Sequence, residues 1–570
     1  MPFACPCRPG PPKGFKLWRR GRGHGLCARR PRRALCHWAL LILLATSVAG
    51  LDAPLLTPQP REGIRPVLPA PRTAQSQTPP AATRPRAHRK SALDRRIDTL
   101  LATNDAGRGS WGIEVVDLAS GKLLYERDAN RLFIPASNMK MFTTAAALEK
   151  LGPDYVFRTT VESDAAPDAE GRVGNLYLVG RGDPNLGART FPYTWHGPQQ
   201  PADTFIQELA DQIKARGVRE VTGTLVADDS YFVWEPFASN WAADDLEWGY
   251  GAPVTALAFN DNLLTLHVKP AAKAGDGALV RLDPVADYYQ VMNRVTTSGA
   301  GTARSYSLER LLGSMQLDIW GQIPIDAGEN TDTVALANPP QLVAELFWRA
   351  LEARGITLKV QIEVRHSTRL EAAALPESLP PARVLLAEHD SPPLRDALKA
   401  INKESENLHA EMLLRTLGQV LNKQGSLAAG LAALNAFTAH EVGILPGETY
   451  FSDGSGLSRE NLVAPHAAVK LLLYMAHSPR FGAFFDSLPV SGTDGTLVHR
   501  LAEDRLKGKI HAKTGSVEHV NTLSGYMDLP SGKRLVFSIL ANNHPLPDKA
   551  GQATLDAIAL EIYKRYARGR

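Results

Sequence analysis

Three short motifs constrain this chain more than anything else in it: Ser137-Asn138-Met139-Lys140, then Ser405-Glu406-Asn407, then Lys513-Thr514-Gly515. Taken singly they say little. Ser137 would pass for a helix N-cap, Lys140 for a surface lysine, Ser405-Glu406-Asn407 for a polar turn and Lys513-Thr514-Gly515 for a strand kink. Taken in order they demand a fold that brings the first third of the chain, its last third and its C-terminal end around one cleft.

The chemistry they share is acyl transfer. Ser137 and Lys140 are three apart on an Ala-rich segment that reads as a helix from Ser137 to Leu151, so both side chains share a face. A serine hydroxyl needs a base before it attacks anything at neutral pH. Lys140 serves as that base only if burial or a neighbouring cation depresses its pKa, and Lys513 can supply the cation. Ser405 is placed to relay a proton to a leaving amine, and Asn407 to hold Lys140 and a substrate amide. Lys513 and Thr514 offer a charge and a hydroxyl to a substrate carboxylate. Gly515 lets a substrate backbone approach. The backbone N–H groups of Ser137 and Ser516 would form an oxyanion hole, helped by the positive end of the helix. Together these features predict a serine acyltransferase with a lysine base.

Composition narrows the alternatives. The net charge of +5 is concentrated at the start: residues 1–51 hold ten of the 64 Lys/Arg and none of the 59 Asp/Glu, so the body is mildly acidic and carries no nucleic-acid footprint. All four cysteines (Cys5, Cys7, Cys27, Cys36) precede residue 40. Cysteine catalysis is thereby excluded from the body, and Cys5-Pro6-Cys7 has neither the spacing nor the paired histidines of a zinc site. No metal and no cofactor are expected. The basic stretch followed by the apolar run Trp38–Leu51 reads as a signal peptide or leader over 1–51, an uncleaved anchor being the alternative. Its removal would leave a periplasmic enzyme. Residues 52–90, rich in Pro, Ala and Arg, read as a disordered linker.

The body opens with a helix near Leu93 and a hairpin, Trp111–Leu118 and Leu123–Arg127, turning at Ala119-Ser120-Gly121-Lys122. It closes with strands Ile510–Val517, Asn521–Leu529 and Arg534–Asn542 and a helix Ala550–Tyr566. These ends can build one antiparallel sheet with helices on both faces. The catalytic domain would then be discontinuous, in parts 91–157 and 386–570, around inserted strand-rich material at 158–385. Two helices stand out in the insertion, Phe205–Gly217 and Pro340–Gly355.

At these residues the chain resembles the penicillin-binding protein and serine β-lactamase superfamily. The closer resemblance is to the D-alanyl-D-alanine carboxypeptidase/endopeptidases of the low-molecular-mass class C penicillin-binding proteins. It is carried by PASNMKMFTTAAAL, LVGRGDPNL, VTGTLVADDSYF, FNDN, SENLHAEMLL, FSDGSGLSRENLVAP, SGTDGTLVHR and HAKTGSVEHVNTLSGY, which run through nearly the whole body. The resemblance implies an α+β DD-peptidase/β-lactamase-like fold with a large insertion after the SxxK helix. It implies cleavage of D-Ala-D-Ala amides in peptidoglycan peptides, and acylation of the same serine by β-lactam antibiotics. Ser137 would be the nucleophile, Lys140 the acylation base, Ser405 and Asn407 the second catalytic element, and Lys513 the carboxylate and proton-network partner. Glu406 stands where the family often has Asp, with little effect expected.

Two other readings bear on the same residues. A β-lactamase needs fast deacylation by an activated water, and the long separation of Ser137 from Ser405 argues against a compact one. A non-catalytic wall-binding scaffold has no need of Ser137, Lys140, Asn407 and Lys513 all intact. For the insertion, homodimer formation and wall contact are both open. Asp453–Arg459 must form a tight loop, with Asp453 or Arg459 shaping the cleft or serving only the turn. Arg181-Gly182-Asp183, followed by Pro184, reads as a turn. His511 reads as an edge-strand side chain and not as a base.

Overall fold

The computed structural model describes residues 90–567, apart from 104, 286, 312, 360 and 374–381; the leader and nearly all of the linker lie outside the described residues. The two ends of the body meet in a five-stranded antiparallel sheet. Its order is Ile510–Val517, Val520–Asp528, Arg534–Asn542, Ser110–Asp117, Leu123–Arg127. Trp111 stands opposite Ala541 and Ile113 opposite Ile539, so the N-terminal hairpin joins the C-terminal strands through its first strand.

Strand alternation sorts this sheet into two faces. Trp111, Ile113, Val115, Leu523, Phe537 and Ile539 pack against Leu93 and Ile97 of the helix Ala92–Leu101 and against Leu555, Ile558 and Ile562 of the helix Asp548–Ala567. Ser91 caps the first of these helices through a reciprocal bond pair with Asp94. The opposite face, through Val116, Tyr526 and Val536, meets a helical layer containing Pro465–His477, Met139–Leu151 and Asn407–Asn422. Every residue from Met139 to Leu148 is buried. A helix surrounded on all sides has no solvent face, and its polar residues Lys140, Thr143 and Thr144 are buried with the rest.

Residues 158–390 carry a second, mixed sheet, in the order Ile362–Ser367, Leu225–Val233, Leu176–Val179, Arg158–Ser163, Val384–Asp390. The helices Thr204–Ala215 and Pro339–Ala353 bury Phe205, Ile206, Leu209, Phe347 and Leu351 in its core. Three further three-stranded sheets lie in the same stretch of chain. The entry strand Arg158–Ser163 and the exit strand Val384–Asp390 pair antiparallel, so the chain enters and leaves side by side. Between them, Phe232, Ala238, Trp241, Leu246, Val254, Ala256 and Ala258 leave the insertion's core and join that of the catalytic helices.

Candidate active site

Two of the three motifs are held in conformations that ordinary helix rules do not supply, and the third lies on the regular strand Ile510–Val517. Ser137 does not open an α-helix as expected; it lies in a 3₁₀ turn, Ala136–Asn138, ahead of the helix Met139–Leu151. Pro135 cannot donate a backbone bond, and Ala136 sits at φ 47°, a costly region for a residue with a Cβ. Ser405 is likewise left-handed, at φ 68°, where the π-turn Ala400–Glu404 ends and before Asn407 opens the next helix. Strained backbone of this kind persists only where its surroundings over-determine it.

The surroundings bring all three motifs together. Lys140 Nζ lies 3.0 Å from Ser137 Oγ. It donates to Asn407 Oδ1 at 2.6 Å and to the Ser455 carbonyl at 2.8 Å. Lys513 Nζ donates to Ser405 Oγ at 2.9 Å and to the Thr514 carbonyl at 3.0 Å. Thr514 Oγ1 donates to Thr496 Oγ1 at 2.7 Å. Gly515 passes so close to the nucleophile turn that a Cβ there would lie 2.9 Å from the Ser137 amide nitrogen and from the Pro135 carbonyl oxygen, and would collide with Thr522 Oγ1. Ser516 follows on the same strand, its Oγ accepting from Asn521 Nδ2 at 2.8 Å.

Both lysines are fully buried. Burial drives the Lys140 ammonium down to about 8, against the pull of the Asp453, Glu406 and Glu411 carboxylates. Burial, and then repulsion by Lys140, hold Lys513 well below the ordinary lysine range. Burial also raises Glu406, to about 8, with Asp261 adding to the rise and Arg189 opposing it.

Three supporting groups, Glu411, Arg415 and the Tyr250 carbonyl, escape a motif search; a fourth, Asp453, belongs to the tight loop already marked in the sequence. Glu411 Oε1 accepts the amides of Gly454 and Ser455 at 2.9 and 2.8 Å, which aims the Ser455 carbonyl at Lys140. Arg415 Nη1 reaches the other carboxylate oxygen at 3.1 Å, and both side chains are fully buried. Asp453 organises the same loop, accepting the amides of Gly456 at 2.7 Å and Ser458 at 2.6 Å and the indole N–H of Trp241 at 3.0 Å. The Tyr250 carbonyl takes the bond from Asn407 Nδ2 at 2.8 Å. One sequence signal was available: Asn407, Glu411 and Arg415 recur every fourth residue on a helix otherwise rich in Leu, Met and Ala, a polar stripe aimed inward.

The remaining sequence readings also find their places. Arg459 donates to the Glu518 carbonyl at 2.7 Å. Asp183 is buried and accepts the Asn185 amide at 2.9 Å, a turn. His511 stacks on Phe485 with ring centroids 4.0 Å apart. Among the described residues no helix is long and apolar enough to cross a membrane.

The sequence profile of the D-Ala-D-Ala carboxypeptidase 3 (S13) family matches residues 93–562. The chain belongs to this family. It is 36% identical over 485 residues to a D-alanyl-D-alanine carboxypeptidase of Actinomadura sp. (strain R39), covering 83% of this chain and 85% of the relative. In three dimensions it is similar to penicillin-binding protein 4 of Haemophilus influenzae, with a TM-score of 0.70 at 24% identity over 83% of this chain and 99% of that one. A second structure of that protein, complexed with a β-lactam, gives a TM-score of 0.67 at 23% identity and the same coverage. The expected fold, a DD-peptidase-like domain of mixed α and β structure, is the one found.

Proposed function

We propose that the enzyme, a serine-type D-Ala-D-Ala carboxypeptidase by family, cleaves peptidoglycan stem peptides through an acyl-enzyme on Ser137. The observation that carries this reading is Lys140 Nζ, buried and depressed to about 8, at 3.0 Å from Ser137 Oγ. Ser137 Oγ attacks the carbonyl carbon of the penultimate D-Ala while Lys140 Nζ takes its proton. The amides of Ser137 and Ser516 face the developing oxyanion; one such donor is worth about 3 kcal/mol. Lys513 and Thr514 bind the terminal carboxylate. The proton reaches the departing D-Ala amine through Ser405 Oγ, which Lys513 contacts. Water then hydrolyses the ester by the reverse route.

A β-lactam presents the same amide geometry but keeps its leaving group tethered, so it acylates Ser137 and stays. DD-endopeptidase activity on D-alanyl crosslinks follows if the cleft admits a longer leaving peptide. We place the enzyme in the periplasm, on the leader and on the family's wall substrate. The division into catalytic parts 91–157 and 386–570 around an insertion belongs to the same proposal, as does the option of a homodimer.

The test is acylation by a fluorescent penicillin, wild type beside Ser137→Ala, with adduct lifetime followed by intact mass and D-Ala release measured on a pentapeptide. The expected result is a long-lived adduct and D-Ala release from wild type alone. Rapid turnover of the adduct would favour a β-lactamase. A folded wild type that forms no adduct would overturn the catalytic reading.

A further inference from the structure

The insertion reaches the active site through a cluster of partly buried charges. Arg189 lays its guanidinium against both oxygens of Asp261, with Nη1–Oδ1 at 3.2 Å and Nη2–Oδ2 at 3.0 Å. The same Nη2 reaches Glu404 Oε2 at 2.7 Å. Asp261 Oδ1 also lies 2.8 Å from His409 Nε2. Arg189 and Asp261 belong to the insertion; Glu404 immediately precedes Ser405, and His409 follows Asn407 by two residues. The catalytic element is thus gripped at both ends, and its middle is tied by the bond from Asn407 Nδ2 to the Tyr250 carbonyl, also in the insertion.

The gripping side is built to hold position. Asn260, Asp261 and Asn262 are consecutive left-handed residues, at φ 48°, 58° and 53°. The fully buried Asn262 pins them, accepting the Phe259 amide at 2.9 Å and donating to the Pro253 carbonyl at 2.8 Å and to Thr255 Oγ1 at 3.1 Å. A partly buried ion pair adds little stability, because solvent screening and desolvation offset most of its attraction; its geometric demand is what it contributes. A two-oxygen Arg–carboxylate fork fixes direction as well as distance.

We infer that Arg189 and Asp261 are positioning residues, which hold Ser405 against Lys513 and Asn407 against Lys140 from outside the catalytic segments. This rests on the reading of Ser405 and Asn407 as the second catalytic element. It gives the insertion a task in the reaction itself.

The experiment is stopped-flow acylation of the purified enzyme by a fluorescent penicillin, separating the initial dissociation constant from the first-order acylation constant. Wild type is run beside Arg189→Met, Arg189→Lys and Glu404→Leu, each normalised to folded protein. Displacement of a reacting group by about 1 Å costs on the order of 100-fold. The expected result is a fall of about 10- to 100-fold in the acylation constant of R189M, with the initial dissociation constant unchanged and part of the rate restored in R189K. Wild-type acylation by folded R189M overturns the inference, as does a loss identical in R189M and R189K. If R189M does not fold, E404L decides, because it keeps the Arg189–Asp261 pair and, having no acceptor for Arg189 Nη2, releases only the Ser405 side: a slowed acylation constant supports the inference, and a wild-type one overturns it. A wild type that is never acylated would instead remove the catalytic reading on which the inference stands.

Discussion

In the proposed mechanism Lys140 and Lys513 put one residue type to two jobs. In water a lysine near 10.4 is almost wholly protonated at neutral pH and useless as a base. Burial brings Lys140 to about 8 and leaves it an acceptor for the Ser137 proton. The sign of the pH dependence follows. The neutral amine is the working form, so the acylation constant should rise with pH through about 8 and fall away below it, as stopped-flow mixing between pH 6 and 10 would register. Lys140→Arg keeps a charge that cannot be discharged, and should fold yet fail to acylate. Glu411→Ala leaves Arg415 buried without its partner, which should cost about 3–5 kcal/mol in urea unfolding, and it frees the Ser455 carbonyl from Lys140. At this scale the motif residues were legible because their side chains carry the chemistry. Ser455 and Tyr250 were not, because each contributes only a backbone carbonyl, and every residue has one.

Among the elements, the strand Ile510–Val517 does the most with the least. It lies at the sheet edge beside Val520–Asp528 and turns Gly515 toward the nucleophile turn. Gly515→Val would push a side chain between the two. The expected outcome is loss of penicillin labelling by about 100-fold or more, at a stability cost of about 1–3 kcal/mol from overpacking, read by labelling and thermal melt together. The sheet itself was largely legible, since its strands alternate cleanly and its turns carry Gly and Ser. The start of the nucleophile helix was not: Pro135 and the left-handed Ala136 tighten the turn at Ser137 into 3₁₀ form, and helix periodicity carries no sign of that.

For the whole molecule, the insertion is the test. Ser163 pairs with Val384, so a short turn could join the entry and exit strands and delete everything between them. The geometry of the splice is favourable, yet the product should neither melt cooperatively nor take a penicillin label. It would lack Trp241, Val254 and Ala256 from the catalytic core, and the Tyr250 carbonyl and Arg189 from beside the SxN element. Calorimetry and labelling of the deleted protein check this. Sequence reading marked residues 158–385 as strand-rich and separate. What it could not convey is that Phe232–Ala258 packs elsewhere, because membership of a core depends on neighbours distant in the chain.

The long spacing of the motifs has a bearing on timing. Ser137 is made early, but the amine that contacts Ser405 and the strand that lines the nucleophile turn arrive only with residues 510–542. A growing or half-threaded chain therefore carries its nucleophile unarmed. The site is whole only when those last strands have paired, so any shorter chain lacks both the Lys513 amine and the strand beside Ser137.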